Sequence, residues 1–326
     1  MKFAMVSDAQ FNGRMTSISG NVFDWGTYLE GQHFWIHDVK KDWTRLNEFD
    51  VVMILDLKRW LDLSLEMMDV AQNPLYLFYP EGGDDIYFSM TFEEQKRMFR
   101  ILKRVDLIGC ADERWIDFYN SLFGDKAFFM HVPMPDVVTE YRYWRNYQNK
   151  SNDVLLCCNL GLDELRYKTN LINMIAVIKK SGVRCTMVEI DTACSEFVSG
   201  FFDMIITYSP RVDMVTYMDR FVSRHLCLLN LSDIIGTSRN AIIGASCGTP
   251  VIGNIRSHTQ KRLFPGLAVD PLDIEGAANR IKRLIEDKYW YSKVVDFAKA
   301  ELPYYSKESA MNRLKTAIES KAKVTA

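Results

Sequence analysis

The feature that most limits what this chain can become is a rhythm: short apolar runs, bounded by turn residues, recur between longer stretches with helical spacing. Strands of a parallel sheet covered on both faces read this way, because both faces are dry and the alternation of inside and outside is lost. In the first half the runs are Lys2–Val6, Phe34–His37, Val51–Leu55, Leu75–Tyr79, Leu107–Cys110 and Phe128–Val132, with helical stretches at Phe92–Val105 and Glu113–Leu122. The second half repeats the pattern. Val154–Leu160, Cys185–Ile190, Met204–Thr207, Leu226–Leu229 and Val251–Gly253 alternate with candidate helices Asn170–Lys180, Met214–Val222, Asn240–Ser246 and Ile274–Glu286. The expected fold class is α/β: two Rossmann-like doubly wound domains facing a central cleft.

The polar, aromatic-rich segment Glu140–Asn152 lies between the halves and has neither a Gly/Ser spacer nor low complexity, so it is expected to be a short, ordered crossing. This predicts domains over residues 1–148 and 149–305. The remainder, 306–326, carries Met311, Leu314 and Ile318 at helical spacing and reads as an amphipathic helix free to cross back to the first domain. A chain of 326 residues is long enough for two such cores, and its 48% apolar content, near-balanced charge (40 Lys+Arg, 42 Asp+Glu) and mean hydropathy of −0.13 exclude a collagen, a disordered polyelectrolyte and a polytopic membrane protein. The charge is unevenly spread. Residues 1–150 hold 17 basic and 23 acidic side chains and the rest hold 23 and 19, which favours the second half for an anionic ligand.

Seven cysteines without C-x2-C spacing read as reduced core thiols instead of zinc ligands or nucleophiles. No apolar stretch reaches the ~18 residues that span a bilayer, and a cytoplasmic protein is expected. No Asp-x-Asp motif occurs, so neither a metal nor a cofactor is expected.

The stretch from Leu228 to Gly253 carries the strongest chemical signal. It reads as a strand, a loop with a glycine and small hydroxyl residues, a helix, and a tight Gly-Thr-Pro turn into the next strand. Gly236, Thr237 and Ser238 would expose backbone N–H groups at a helix N-terminus, where the dipole favours an anion, with Arg239 adding a full charge and Asn240 opening the helix. A diphosphate suits such a place. An ordinary capped helix is the alternative.

Here the sequence resembles a family. Cys247-Gly248-Thr249-Pro250-Val251-Ile252-Gly253, after its small-residue helix, is similar to the sugar-nucleotide loop of retaining glycosyltransferases of the GT-B fold, family 4. Met1–Asp8 resembles the opening strand of that family, Val105–Asp112 a helix–strand segment of its acceptor domain, His131–Asp136 its approach to the linker, and Asp270–Ala278 a helix start. The resemblance implies transfer of a sugar from a nucleoside-diphosphate donor such as a UDP-sugar, bound by the second domain, to an acceptor hydroxyl on the first. The family's pair of glutamates, which meets the transferred sugar and the ribose, falls at Ile235 and Ile243 and is missing. Where the family holds the diphosphate with Arg and Lys, Arg166 and Lys168 are the substitutes, although a solvated helix start would read the same.

Other candidates depend on position. Tyr208 and Arg211, at the end of a predicted strand, suit base stacking and a phosphate, or form a plain turn; Gly13 and Arg14 follow the first strand and suit close backbone approach and a phosphate, or a surface turn. Glu81, Asp84 and Asp85 surround two glycines at a strand's carboxyl end and are the candidates to position or deprotonate an acceptor, or else form a solvated acidic turn. The expected acceptor is a saccharide or glycan. A second reading is a modified base in DNA, for which the basic Lys96, Arg97, Arg100, Lys103 and Arg104 and the interleaved Tyr141, Arg142, Tyr143, Trp144, Arg145, Tyr147 and Lys150 would serve. A third is a non-catalytic member that binds a nucleotide or a protein, favoured by the two isoleucines.

Overall fold

The computed structural model describes residues 1–7, 25, 31–55, 60–80, 90–131, 133–156, 171–187, 213–231 and 238–325. Two compact units emerge: one gathers the described residues up to Met134 with the C-terminal segment from Lys307, and the other runs from Pro135 to Ser306.

In the first unit, β1 (Phe3–Ser7), β2 (Gly31–Trp35), β3 (Val51–Leu55), β4 (Leu75–Tyr79), β5 (Leu107–Cys110) and β6 (Ala127–Phe129) form a parallel sheet in the order β2-β1-β3-β4-β5-β6. Every residue of β1, β3 and β5 is buried, which is why these strands appear in the sequence as unbroken apolar runs. Successive side chains still go to opposite faces. Ala4, Val6, Val52, Ile54, Tyr76 and Phe78 pack under α1 (Ile36–Val39), α2 (Leu61–Val70) and α3 (Phe92–Arg104). Phe3, Met5, Met53, Leu55, Leu77 and Tyr79 pack on the other face with Trp25 and with Ala310, Leu314 and Ile318 of the C-terminal helix, Lys307–Thr325. That helix is also held by Arg313, whose guanidinium lies 5.0 Å from the centre of the Phe129 ring and donates to Nδ1 of buried His131 at 2.7 Å. The connection α4 (Arg114–Phe123) joins β5 to β6.

In the second unit, β7 (Ser151–Leu156), β8 (Cys185–Met187), β9 (His225–Asn230), β10 (Val251–Asn254) and β11 (Ala268–Val269) form a parallel sheet in the order β11-β10-β9-β7-β8. Around it lie α5 (Leu171–Ser181), α6 (Arg239–Ser246), α7 (His258–Leu263), α8 (Ile274–Glu286) and α9 (Lys288–Glu301). Both sheets are α/β and doubly wound, and each reverses its strand order once, between β1 and β3 and between β7 and β9. Ligands of such sheets sit beyond the carboxyl ends of the strands at that reversal.

Several details differ from the sequence reading: β6 starts one residue before the expected Phe128 and ends at Phe129, and α2, α9 and β11 are outside the expected set. β2 starts and ends earlier than Phe34–His37, because it is an edge strand whose exposed Gly31 and Gln32 hide it from an apolar search, and His37 belongs to α1. Met214–Val222 is not one regular helix: an α-turn at Met214–Thr216 passes into a π-helical turn at Tyr217–Phe221 and a 3-10 turn at Val222–Arg224. Among the described residues, no helix is long and apolar enough to cross a membrane.

Candidate functional site

At the strand reversal of the second sheet, β9 leads toward α6, and the N-terminus of α6 is therefore the place where an anion would meet helical N–H groups. Ser238 caps this helix: its Oγ accepts from Ala241 N at 3.4 Å, while its own N–H, expected from the sequence to face an anion, donates instead to Oγ1 of buried Thr259 at 3.2 Å. Arg239 and Asn240 occupy the first turn and are half-buried, and the Tyr217 hydroxyl reaches Oδ1 of Asn240 at 3.5 Å. Beyond that turn, every residue from Ala241 to Ser246 is buried, so the helix contacts protein on all sides and only its first turn is open to a ligand. Ser238, Arg239 and Asn240 are thus brought together at one helix start. Gly13, Arg14, Glu81, Asp84, Asp85, Arg166, Lys168, Tyr208, Arg211, Gly236 and Thr237 lie outside the described residues.

The residues that resemble the glycosyltransferase family most closely stand at the other end of the sheet. Gly248 precedes β10, at its amino end, with φ +65°, a conformation that favours glycine. A Cβ there would come within 3.0 Å of the Trp144 ring and 3.1 Å of the Arg145 carbonyl. Arg145 N–H donates to the Cys247 carbonyl at 3.3 Å, and the Tyr291 hydroxyl donates into the same turn at Gly248 O, 3.1 Å. Beneath it is Lys150, buried at the entry to β7, whose Nζ donates to Ser223 O (2.9 Å), Cys247 O (3.2 Å) and Thr249 Oγ1 (2.6 Å). Thr249 passes the chain on by donating to Val222 O at 2.9 Å. Burial pushes the Lys150 ammonium down to about 7. The Gly-Thr-Pro turn is therefore a frame that ties the incoming chain to β9 and β10.

This geometry reassigns several side chains. His258 opens α7, and its Nδ1 lies 3.3 Å from the Tyr305 hydroxyl. Ile243, at one of the two positions where the family has glutamate, is buried inside α6, while Ile235 lies outside the described residues. Of the basic and aromatic residues considered for nucleic acid, Tyr141 and Trp144 both pack against Lys299, Tyr147 donates to Ile285 O at 2.8 Å, Arg145 pairs with Asp219 and Lys150 is buried. On α3, Lys96, Arg97 and Arg104 pair with Glu93, Asp62 and Asp69. The thiols of Cys110, Cys185, Cys227 and Cys247 are buried and unbridged, and burial raises Cys185 and Cys247 to about 12, so neither is a thiolate near pH 7. Cys157, Cys158 and Cys194 lie outside the described residues. Among the described residues, no group of three or more His, Cys, Asp or Glu side chains is arranged to hold a metal ion.

No family model matches the sequence, and no curated protein does. Solved structures do match, over essentially the whole length. HepE of Anabaena, solved with UDP and glucose, is 12% identical, covers 98% of this chain with 100% of its own, and superposes with a TM-score of 0.69. Sucrose-phosphate synthase from Thermosynechococcus elongatus is 13% identical, with complete coverage of both chains and a TM-score of 0.70. The chain has the GT-B fold. A third structure of this fold, an alpha-glucosyltransferase solved with UDP and a 13-mer DNA, matches at 12% identity, 99% of both chains and a TM-score of 0.66. At such identities the likeness establishes architecture. The order of the second sheet puts the α6 start at the strand reversal, where doubly wound folds receive their ligands.

Sequence reasoning missed the partners that hold this site. Thr259, whose hydroxyl receives the Ser238 N–H, and Tyr217, which reaches Asn240, come from separate elements, and nothing in their local sequence marks them.

Proposed function

We propose that this chain is a metal-independent glycosyltransferase that moves a sugar from a UDP-sugar or a related nucleoside-diphosphate sugar to a hydroxyl of a saccharide or glycan. One observation carries the reading: α6 begins with a capped, half-open first turn bearing Arg239 at the strand reversal of the second sheet, in a chain whose whole-length structural matches include proteins solved with UDP. In the reaction, the acceptor oxygen forms a bond to the anomeric carbon as the bond to the β-phosphate oxygen breaks. The electron pair leaves with the diphosphate, and the acceptor proton passes to a base.

The work falls on electrostatics. The Gly236–Asn240 loop with Arg166, Lys168 or Arg211 would stabilise the departing diphosphate, Tyr208 would face the base, Gly13 would allow close approach of backbone to the donor, Arg14 would meet a phosphate, and Glu81, Asp84 or Asp85 would position the acceptor. The buried thiols suit a reducing cytoplasm. A saccharide is preferred to DNA as acceptor because Lys96, Arg97, Arg104, Tyr141, Trp144, Arg145, Tyr147 and Lys150, most of the side chains that would have formed a nucleic-acid groove, are engaged in packing, hydrogen bonds and ion pairs.

UDP is expected to raise the melting temperature and uridine is not, because the anion is what the helix start recognises. Arg239→Glu should weaken UDP binding about a hundredfold in calorimetry by setting a negative charge against the diphosphate. Equal affinity for UDP in both proteins would refute this placement. Release of UDP from UDP-glucose that speeds up on adding a saccharide would establish transfer; UDP binding with no turnover of any nucleotide sugar would favour a non-catalytic binder.

A further inference from the structure

The carboxyl edge of the first sheet holds a set of polar side chains that donor binding does not use. Ser7 ends β1 at the strand reversal, wholly buried, and its Oγ lies 2.7 Å from Nε2 of half-buried His33 on the neighbouring strand. The period-two alternation puts Ser7 on the face that Phe3, Met5, Leu55 and Tyr79 share. Tyr79 ends β4 on that face, and its ring packs edge-on against Trp25 with centroids 6.1 Å apart. Trp25 is fully buried, and its indole Nε1–H finds no hydrogen-bond acceptor among the described residues.

A buried donor without an acceptor is uncommon in native proteins and calls for an explanation, such as a bound molecule that completes the bond. Polar groups gathered on an otherwise apolar sheet face, at the end where doubly wound sheets bind ligands, make the same point. The character of the set is informative too. Burial lowers the pKa of His33, which keeps its imidazole neutral near pH 7, and serine, tyrosine and indole are uncharged there. Such a set matches neutral hydroxyls, whereas a sugar phosphate or a nucleic-acid backbone would bring a charge that it does not balance.

We propose that Ser7, Trp25, His33 and Tyr79 form the subsite that receives an uncharged saccharide acceptor, with a sugar oxygen accepting from the Trp25 indole and sugar hydroxyls exchanging hydrogen bonds with the other three. The inference rests on the glycosyltransferase reading and adds to it the acceptor class and the residues that choose it.

The test is saturation-transfer NMR with glucose, maltose and glucose 6-phosphate on the full chain saturated with UDP, repeated for Trp25→Phe and Ser7→Ala. Glucose or maltose should bind, and glucose 6-phosphate at least about tenfold more weakly. Trp25→Phe keeps the ring and loses only the N–H, so it should weaken the sugar about tenfold while UDP affinity and melting temperature stay unchanged. Ser7→Ala should also weaken the sugar. Unaltered sugar binding in both variants, tighter binding of the phosphorylated sugar, or UDP binding without any neutral sugar would overturn the subsite and leave the donor reading standing. Absence of UDP binding to the native chain would instead remove the donor reading, and this inference with it.

Discussion

Replacing Lys150 with methionine is expected to destabilise the second unit by about 3 kcal/mol near about pH 9 and by close to nothing near about pH 6. The Nζ group serves two buried carbonyls and the Thr249 hydroxyl, and each buried acceptor left unpaired costs about 1–3 kcal/mol. Against this stands the cost of burying the ammonium. Burial lowers Lys150 from 10.5 to about 7. Below about 7 both folded and unfolded chains carry the proton, and folding must bury the charge. Between about 7 and 10.5 only the unfolded chain holds it, so the stability of the native protein climbs with pH through that window at about 1.36 kcal/mol per pH unit. Methionine has no proton to lose and shows no climb. Urea unfolding of both proteins at the two pH values measures the gap. A gap of the same size at both would show that Lys150 titrates as an ordinary surface lysine.

Gly244→Val is the second large effect, expected at about 3 kcal/mol. Gly244 lies in α6 where a Cβ would meet the Val251 side chain at 2.3 Å and the Thr249 carbonyl at 2.7 Å. The first neighbour can turn, but the second is backbone of the turn that Lys150 and Tyr291 hold, so α6 must move away from β10. That displacement carries Ser238 and Arg239 with it. The UDP-induced rise in melting temperature should therefore disappear together with the stability, whereas Gly266→Ala, with nothing within 4 Å of its Cβ, should change neither. A Gly244→Val protein with native stability and full response to UDP would show that close contact between α6 and β10 is dispensable.

Much of the architecture was legible because parallel strands buried on both faces leave a mark no other element leaves. Val51–Leu55, Leu75–Tyr79 and Leu107–Cys110 read correctly to the residue, and so did the amphipathic helix Ile274–Glu286. The failures differ in cause. β2 carries exposed residues at a sheet edge and α7 has only six residues, whereas α2 and α9 do bury helically spaced residues, Leu61, Ser64, Met67 and Met68 in one and Tyr291, Val295 and Ala298 in the other, a period that the sequence reading passed over. The helix start at Arg239 was legible because a capping serine and the turn that follows it are neighbours in sequence.

The sequence by itself determined two doubly wound sheets and the place of most of their central strands, since each of these is set by periodicity. Tertiary structure alone decided what the family-like Gly248–Gly253 patch does. Its glycine faces Trp144, about a hundred residues earlier in the chain, and its carbonyls meet a lysine from the entry to another strand. The meeting of Ser7 with His33 and of Trp25 with Tyr79 was decided in the same way, because a buried hydrogen bond between strands depends on register and burial, which distant segments impose together and no local stretch encodes.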